Sequence, residues 1–225
     1  PSVSLSDVAV LDSETSWRKE GTFRTTDDVS EVARCLQEAD YLTDILNEET
    51  FRKRLAPYRV VLVPGQEALA PKTVGALYRF AADGGLVLLT GAALADGAEE
   101  LAGVSRQGQP PAGFGKLNAG GTDYYVTQRC ALQATDAEVI GRFSDGQTAL
   151  TRKPLGKGAA PVGQFGGEGR REGGPGRLDL PQQLEGARLR IGQHGAGGPA
   201  VRVVLGGEAR HLRQGIGYGR RGALL

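Results

Sequence analysis

The amino-acid sequence predicts an α/β domain with a doubly wound, mostly parallel sheet. Short continuous apolar runs indicate strands that are buried on both faces, and the clearest runs cover residues 8–11, 59–63 and 86–90. Segments with the 3–4 spacing of amphipathic helices separate these runs. Strands that alternate with helices of this length imply right-handed crossovers, and therefore a parallel sheet with helices on both faces.

The first strand is predicted over VAVL at residues 8–11, and a helix follows it. Asp27 or Asp28 is the expected N-cap of that helix, which is predicted to end near Glu38. Its apolar side chains fall on one side at helical spacing, and they are Val29, Val32, Ala33 and Leu36. A second strand over YLTDIL comes next, followed by a charged helical turn over NEETFRKRLAPY that Pro57 closes.

A strong helix signal lies between the third and fourth strands. The segment PKTVGALYRFAADGG begins with Pro71, which suits a first helical turn, and Gly84 supplies a left-handed stop. The side chains expected to line one face of this helix are Val74, Leu77, Tyr78 and Ala81. The fourth strand, LVLLT, is predicted to lead into another helix over ALADGAEELAGV.

The sequence after that helix changes to alternating, β-rich segments. TDYYV, CALQA, AEVIGRF and TALTRK are predicted as later sheet strands and hairpins. The pair Asp145-Gly146 is typical of a tight turn. We therefore predict that the α/β domain covers residues 1–158.

A Gly/Arg-rich tail, predicted to be poorly structured, covers residues 159–225. Residues 1–158 carry 17 Lys+Arg against 21 Asp+Glu, whereas the tail carries 10 Arg, no Lys and 5 Asp+Glu. Three interpretations of the tail are open: a nucleic-acid-binding arm, a flexible extension in which AVRVVLG adds one strand, or residues translated from the wrong frame of a GC-rich gene. The scattered arginines disfavour the first interpretation. We prefer the third, because the residue types missing from the tail are mostly those encoded by AT-rich codons.

Cysteine count and hydropathy limit the class of protein. Cys35 and Cys130 lack metal-ligand spacing and are expected to be buried thiols, so no metal site is predicted. No apolar run approaches the roughly 18 residues that span a bilayer. We predict a soluble protein without membrane partners, and we prefer the cytoplasm as its location. Because the sequence contains no Met, we expect it to be a piece of a longer chain or the product of an incomplete gene model.

Residues 58–91, with the sequence YRVVLVPGQEALAPKTVGALYRFAADGGLVLLTG, carry a resemblance to a known family. Together with EELAGV, DAEVIGRFSDGQTAL and RKPLGKG, this stretch resembles the β-galactosidase trimerisation domain, and the resemblance covers about residues 7–160. It implies a flavodoxin-like fold of the class I glutamine-amidotransferase-like type. It also implies a place inside a multidomain glycoside hydrolase, in carbohydrate metabolism.

Catalytic members of the wider amidotransferase-like superfamily place a Cys on a sharp strand-to-helix turn, with a later His as its base. The corresponding turn here holds Thr90, Gly91 and Ala92. The two histidines, His194 and His211, both lie in the tail. The resemblance therefore implies no catalytic residues in this segment, and we predict no cofactor.

Other chemistries are also disfavoured. Glycoside hydrolysis needs two opposed carboxylates in a cleft. The acidic pairs here are adjacent in sequence, and we expect them to cap helices or to face solvent; they are Asp27-Asp28, Glu48-Glu49 and Glu99-Glu100. Gly-rich stretches such as GQFGGEG lack the Lys-Ser/Thr of a phosphate loop.

One polar cluster is a candidate ligand site, because ligands of open α/β sheets bind beyond the carboxyl ends of the strands. The residues expected there are Asp12, Ser13, Glu14, Trp17, Gln66, Glu67 and Thr90. An aromatic ring beside carboxylates suits a sugar. The alternative is that Trp17 packs on a neighbouring domain or subunit, and we prefer this alternative.

These observations lead to one main functional hypothesis and two rivals. The main hypothesis is a non-catalytic structural or oligomerisation domain of a β-galactosidase-like glycoside hydrolase, with its own neighbouring domains or homo-oligomer subunits as partners and no nucleic acid. The first rival is a carbohydrate-binding or sensing module. The second rival is a small amidotransferase-like hydrolase.

Overall fold

The computed structural model describes residues 6–20, 27–38, 41–90, 94, 96–108, 115–119, 122–126 and 129–163, together with the backbone of residues 177–179, 187–192 and 200–205. Five helices lie in the described ranges: α1 (Glu14–Glu20), α2 (Asp27–Glu38), α3 (Glu48–Lys53), α4 (Pro71–Ala82) and α5 (Glu99–Ala102). None of them is long and apolar enough to cross a membrane.

The strands of the described ranges form one large sheet and three smaller ones. The large sheet contains β1 (Val8–Asp12), β2 (Thr43–Asn47), β3 (Val60–Pro64), β4 (Leu86–Thr90), β9 (Glu138–Arg142), β10 (Thr148–Leu155) and β11 (Gly158–Gly163). The smaller sheets contain β5 (Val104–Arg106) with β8 (Leu132–Ala134), β6 (Gly115–Ala119) with β7 (Thr122–Val126), and β12 (Arg177–Asp179) with β13 (Ala187–Gly192) and β14 (Ala200–Leu205).

The large sheet is mostly parallel, as the sequence predicted. Its strand order is β2-β1-β3-β4-β11-β10-β9. The first five strands in this order run parallel to one another, while β10 runs antiparallel to both of its neighbours. The carboxyl ends of β1, β3 and β4 therefore meet at one edge of the sheet, which we call the carboxyl edge.

Helices cover both faces of this sheet, which confirms the doubly wound prediction. Alternate residues of the central strands point to opposite faces. On one face, Val10 and Leu62 pack with Leu36 of α2, whereas on the other face Leu11 and Val63 belong to the same apolar cluster as Leu77 of α4. Because both faces are apolar, the strands had to appear in the sequence as continuous apolar runs.

Helix α4 has the predicted bounds, but the prediction that Tyr78 lies on its buried face is wrong. Leu77 and Ala81 are buried, whereas the side chain of Tyr78 is 40% exposed. The buried stripe instead passes through Thr73, since threonine is small enough to lie against the sheet. The helix ends as expected, with Gly84 at a φ of 117°.

Two helices differ from the sequence prediction. The helix expected over ALADGAEELAGV is confined to the single turn of α5, because Gly97 just before it has a φ of 82° and Gly103 just after it has a φ of 66°. Helix α1 was not predicted at all. Its sequence, ETSWRKE, has no apolar stripe from which a helix could be recognised.

The end of the sheet lies beyond the predicted domain boundary. Strand β11 begins at Gly158 and continues to Gly163, between β4 and β10. The turn before it is formed by the Gly-Lys-Gly of the RKPLGKG segment, in which Gly156 has a φ of 56°. Residues 159–163 thus belong to the central sheet, and the division of the chain into two domains stays a prediction.

Besides residues 159–163 of β11, the tail contains three strands among its described residues. The strand expected within AVRVVLG corresponds to β14, which pairs with β13 in a three-stranded antiparallel sheet rather than with the central sheet. His194, His211 and the remaining tail residues lie outside the described residues.

Candidate functional site

The predicted ligand-site residues meet at the carboxyl edge. Asp12 and Thr90 are the last residues of β1 and β4, and Gln66 and Glu67 follow the end of β3. The Gly65 amide donates a hydrogen bond to the Thr90 carbonyl oxygen at 2.7 Å, which holds the exits of β3 and β4 together. Proximity of these residues was thus predictable from strand order, while their role in binding stays a prediction.

Residues 13–20, which comprise Ser13 and helix α1, lie across this edge, and we call them the strap. The Ser13 side chain is fully buried and donates to the Ala68 carbonyl oxygen at 2.8 Å. The Ser13 amide donates to Oε1 of Gln66 at 3.0 Å, and Nε2 of Gln66 donates to the Pro64 carbonyl oxygen at 2.8 Å. Both ends of the buried Gln66 amide are therefore satisfied within the protein.

Trp17 and Ser16 attach the middle of the strap. Nε1 of Trp17 donates to the Asp12 carboxylate at 2.8 Å, so the indole is oriented by the residue that ends β1. Oγ of Ser16, which is fully buried, accepts a hydrogen bond from the Glu67 amide at 2.9 Å. The Asp12 carboxylate and the Trp17 indole that were expected to hold a sugar thus bind each other.

Glu48 provides a further attachment. The acidic pair Glu48-Glu49 was expected to cap helices or to face solvent; Glu49 is exposed, whereas Glu48 is 4% exposed and its carboxylate binds backbone amides at the starts of α1 and α4. The Glu48 carboxylate accepts from the Thr15 hydroxyl at 2.6 Å and from the Thr15 amide at 3.2 Å, and its other oxygen accepts from the Ala70 amide at 2.7 Å. A buried carboxylate is stabilised when several donors surround it.

Glu14 makes the reciprocal contact. Its Oε2 accepts a hydrogen bond from the Glu48 amide at 2.9 Å. Each of these two glutamates therefore satisfies the backbone at the start of the other's helix, where amides lack intrahelical partners. Glu14 was predicted as a ligand-binding residue, and its carboxylate is occupied by this contact.

Charged side chains form an outer layer over the strap. Lys19 donates to the Asp96 carboxylate at 2.9 Å and lies 3.9 Å from the Glu67 carboxylate. Arg106 contacts both Asp96 and Glu99. The hydrogen bond from Arg106, followed by that from Lys19, lowers the pKa of Asp96 below its ordinary value. These groups are about half exposed, so their contribution to stability is small.

The two thiols lie on parts of the chain other than the strap. Cys35 lies on α2, which runs back toward the amino end of β2, and Cys130 lies just before β8. Both are buried, as predicted. Burial raises the pKa of the Cys130 thiol, which disfavours the thiolate that a nucleophile needs. Gly91 and Ala92 of the predicted turn lie outside the described residues.

The described residues do not form a metal site. Within the ranges that the structure describes, no three His, Cys, Asp or Glu side chains are grouped as a metal site would require. Several residues that organise the carboxyl edge were not singled out in the sequence for this role, and they are Thr15, Ser16, Lys19, Glu48 and Asp96. Their contacts join positions that are distant in sequence, so no local pattern marks them.

The fold is similar to part of several solved glycoside hydrolases. A catalytic mutant of Gan42B, a GH42 β-galactosidase from G. stearothermophilus, matches 89% of this chain with a TM-score of 0.60 and 16% identity. The β-galactosidase from Bacillus circulans sp. alkalophilus matches 83% with a TM-score of 0.59 and 17% identity. The exo-β-1,4-mannosidase Op5Man5 from Opitutaceae bacterium strain TAV5 matches 70% with a TM-score of 0.54 and 13% identity.

These similarities establish the fold, because identities this low do not define a family. The matched regions make up 40%, 35% and 31% of the three proteins, so this chain corresponds to less than half of each. No protein-family model matches the sequence. No curated protein sequence matches it either.

Proposed function

We propose that this chain is a non-catalytic structural domain, of the glutamine-amidotransferase-like type, from a glycoside hydrolase related to the β-galactosidases. Its role is to contact neighbouring domains or other subunits of the same protein. The observation that carries the proposal is the state of the carboxyl edge, where ligands of this fold class bind. The strap covers that edge, and the polar groups beneath it are hydrogen-bonded within the chain.

Similarity to the solved structures supports the proposed parent. In the β-galactosidases the matched region is a part of a much longer protein. A domain that accompanies a catalytic domain needs contact surfaces rather than a nucleophile. The absence of Cys or Ser from the sequence Thr90-Gly91-Ala92 agrees with that role.

The edge strand β2 is the surface that we propose for contact. Among the strands that the structure describes, it is the outermost on its side of the large sheet. Ile45, on this strand, is 49% exposed, and Leu42, just before it, is 63% exposed. Exposed apolar side chains on an unpaired strand edge favour association with another chain or domain.

Two measurements on the 225-residue chain test this proposal. We expect no hydrolysis of a chromogenic β-galactoside or of glutamine, because no reactive constellation is present at the carboxyl edge as described. In sedimentation equilibrium we expect species heavier than the 23.6 kDa monomer. Turnover by pure protein would overturn the proposal, and a monomer at every concentration would remove the self-association role.

A matched pair of variants locates the contact. Ile45→Thr keeps a strand-forming residue but removes apolar area, so it should weaken self-association at least tenfold. Tyr78→Ser also removes an exposed apolar side chain, but from helix α4, and it should leave association unchanged. Equal effects of the two substitutions would show that β2 is not the contact surface.

The rivals are tested separately. A carbohydrate-binding module should change its Trp17 fluorescence when galactosides or longer glycans are added, whereas the proposed scaffold should not respond. An amidotransferase-like hydrolase should lose activity when Cys35 and Cys130 are replaced by Ser.

A further inference from the structure

The strap is attached to the domain in a different way from the other helices. Three apolar clusters make up the core of the described residues, and they contain side chains from α2, α3, α4 and α5 but none from α1. The inward-facing side chains of the strap are Ser13 and Ser16, both polar. Hydrogen bonds, rather than apolar packing in the core, hold the strap in place.

Most of the donors in these contacts lie on the strap and most of the acceptors on the body, while the Glu48 and Glu67 amides donate in the opposite direction, to Glu14 and Ser16. The strap donates from the Ser13 amide and hydroxyl, from the Thr15 amide and hydroxyl, and from the Trp17 indole. The matching acceptors all belong to the body of the domain, and they are Asp12, Glu48, Gln66 and the Ala68 carbonyl oxygen. This complementarity specifies one closed position for the strap.

Hydrogen bonds of this kind can be exchanged for bonds to water, since opening the strap exposes both partners to solvent. Buried apolar area has no such replacement, because its exposure to water is itself unfavourable. The free energy of opening the strap should therefore be well below that of unfolding the sheet. Segments with few buried apolar contacts open locally in native proteins.

We propose that residues 13–20 form a strap that opens as a unit while the central sheet stays folded. Opening uncovers the carboxyl ends of β1 and β3, including Asp12 and Gln66, and so controls access to the position where ligands of this fold class bind. The hydrogen bonds between Thr15 and Glu48 are the contact that keeps the strap closed, and we call this contact the clasp. This inference does not depend on the proposed scaffold role.

Native-state hydrogen exchange on the full chain tests the proposal. The amides of Ser13 and Thr15 are hydrogen-bonded to the body of the domain in the closed strap, to Gln66 and Glu48. We expect them to be protected, but to exchange on the order of 100-fold faster than the amides of Val61 and Leu62 in β3. Low concentrations of urea should accelerate the β3 amides more steeply than the strap amides, because local opening exposes less surface.

A pair of identical substitutions isolates the clasp. Thr15→Val removes the hydroxyl that binds Glu48 and should raise exchange of the strap amides about tenfold, with no change in β3 beyond a small shift. Thr73→Val removes a hydroxyl that accepts from Arg52 at the start of α4, and strap exchange should stay within about twofold of the wild-type rate.

Each other outcome overturns the proposal. Equal protection and equal urea dependence in the strap and β3 would show that the strap opens only on global unfolding. Unprotected strap amides would show that the closed position is not held. If Thr15→Val accelerates the strap no more than Thr73→Val does, Thr15–Glu48 is not the clasp.

Discussion

Helices α4 and α1 lie on the same domain but are held by opposite means. Helix α4 places Leu77 and Ala81 against the sheet, within the largest apolar cluster. Helix α1 places Ser16 inward and is held by hydrogen bonds to Asp12, Glu48 and the loop after β3. One helix is therefore stabilised mainly by removal of apolar area from water, and the other mainly by the matching of polar groups.

The two helices are also encoded differently in the sequence. The apolar stripe of α4 lies within twelve consecutive residues, so this helix can be predicted from a short stretch of sequence. The strap is held by contacts such as Thr15 with Glu48 and Ser13 with Ala68, which join residues separated by 33 and 55 positions. A helix of the second kind exists only because the rest of the fold brings its partners to it.

The largest effect should come from breaking the apolar attachment of α4. Leu77 is fully buried, so Leu77→Ala should leave a cavity and lower the free energy of unfolding by about 3–4 kcal/mol. Urea unfolding followed by far-UV circular dichroism measures the change. Tyr78→Ala is the matched control, and it should cost no more than about 1 kcal/mol because the ring is largely exposed. Similar losses in both variants would contradict the observed orientation of α4.

The elements that are held by apolar packing, as α4 is, could be predicted from the sequence. Strands β1, β3 and β4 are continuous apolar runs because both of their faces are covered, and α2 has its apolar side chains at helical spacing. The Tyr78 prediction failed because Tyr78 and Leu77 both fit an apolar face in sequence, whereas in space Thr73 takes the place beside Leu77.

The candidate site was predictable only in part. Strand order alone brings Asp12, Gln66 and Thr90 to one edge, so their proximity could be derived from the sequence. Glu48 could not be recognised, because a Glu-Glu pair after a strand is the usual sign of a solvated helix start. Its burial depends on Thr15 and Ala70, which reach it through the tertiary fold.

The second-largest effect should come from breaking the polar attachment at Glu48. Glu48→Ala leaves the amides of Thr15 and Ala70 without their acceptor, so we expect a loss of about 2–3 kcal/mol in the free energy of unfolding. In this variant, Trp17 fluorescence should change at lower urea concentration than the circular dichroism signal. Glu49→Ala, at the neighbouring exposed position, should leave both transitions unchanged. Coincident transitions in Glu48→Ala would contradict a separately held α1.

A smaller effect should follow from removing one buried hydroxyl of the strap. Ser16→Ala deletes the acceptor of the Glu67 amide, and we expect a loss of about 1 kcal/mol, measured by urea unfolding. Ser105→Ala removes a hydroxyl that accepts from the exposed Gln107 side chain, and it should have no measurable effect. If the two substitutions have equal consequences, burial does not determine the strength of the strap contacts.

The smallest effect should appear at the exposed charges, and it should depend on pH. The pKa of Asp96 is lowered in the folded protein by the hydrogen bonds from Arg106 and Lys19. A carboxyl group with a lowered pKa stabilises the fold above its unfolded pKa, near 3.8, and this stabilisation is lost as the pH falls through the lower folded value.

Asp96→Asn should therefore unfold at a slightly lower urea concentration than the wild type at pH 6, and this difference should shrink as the pH falls below about 3.8. Asp136 and Asp145 also have lowered pKa values, but they are present in both proteins, so their titration cancels in the comparison. Added salt should reduce the difference at pH 6, because the groups are half exposed. A difference that is the same at both pH values would mean that Asp96 acts through packing or neutral hydrogen bonding rather than through its charge. In that case solvent screening of charges would not explain why the contacts of Asp96 contribute less to stability than the buried contacts of the strap.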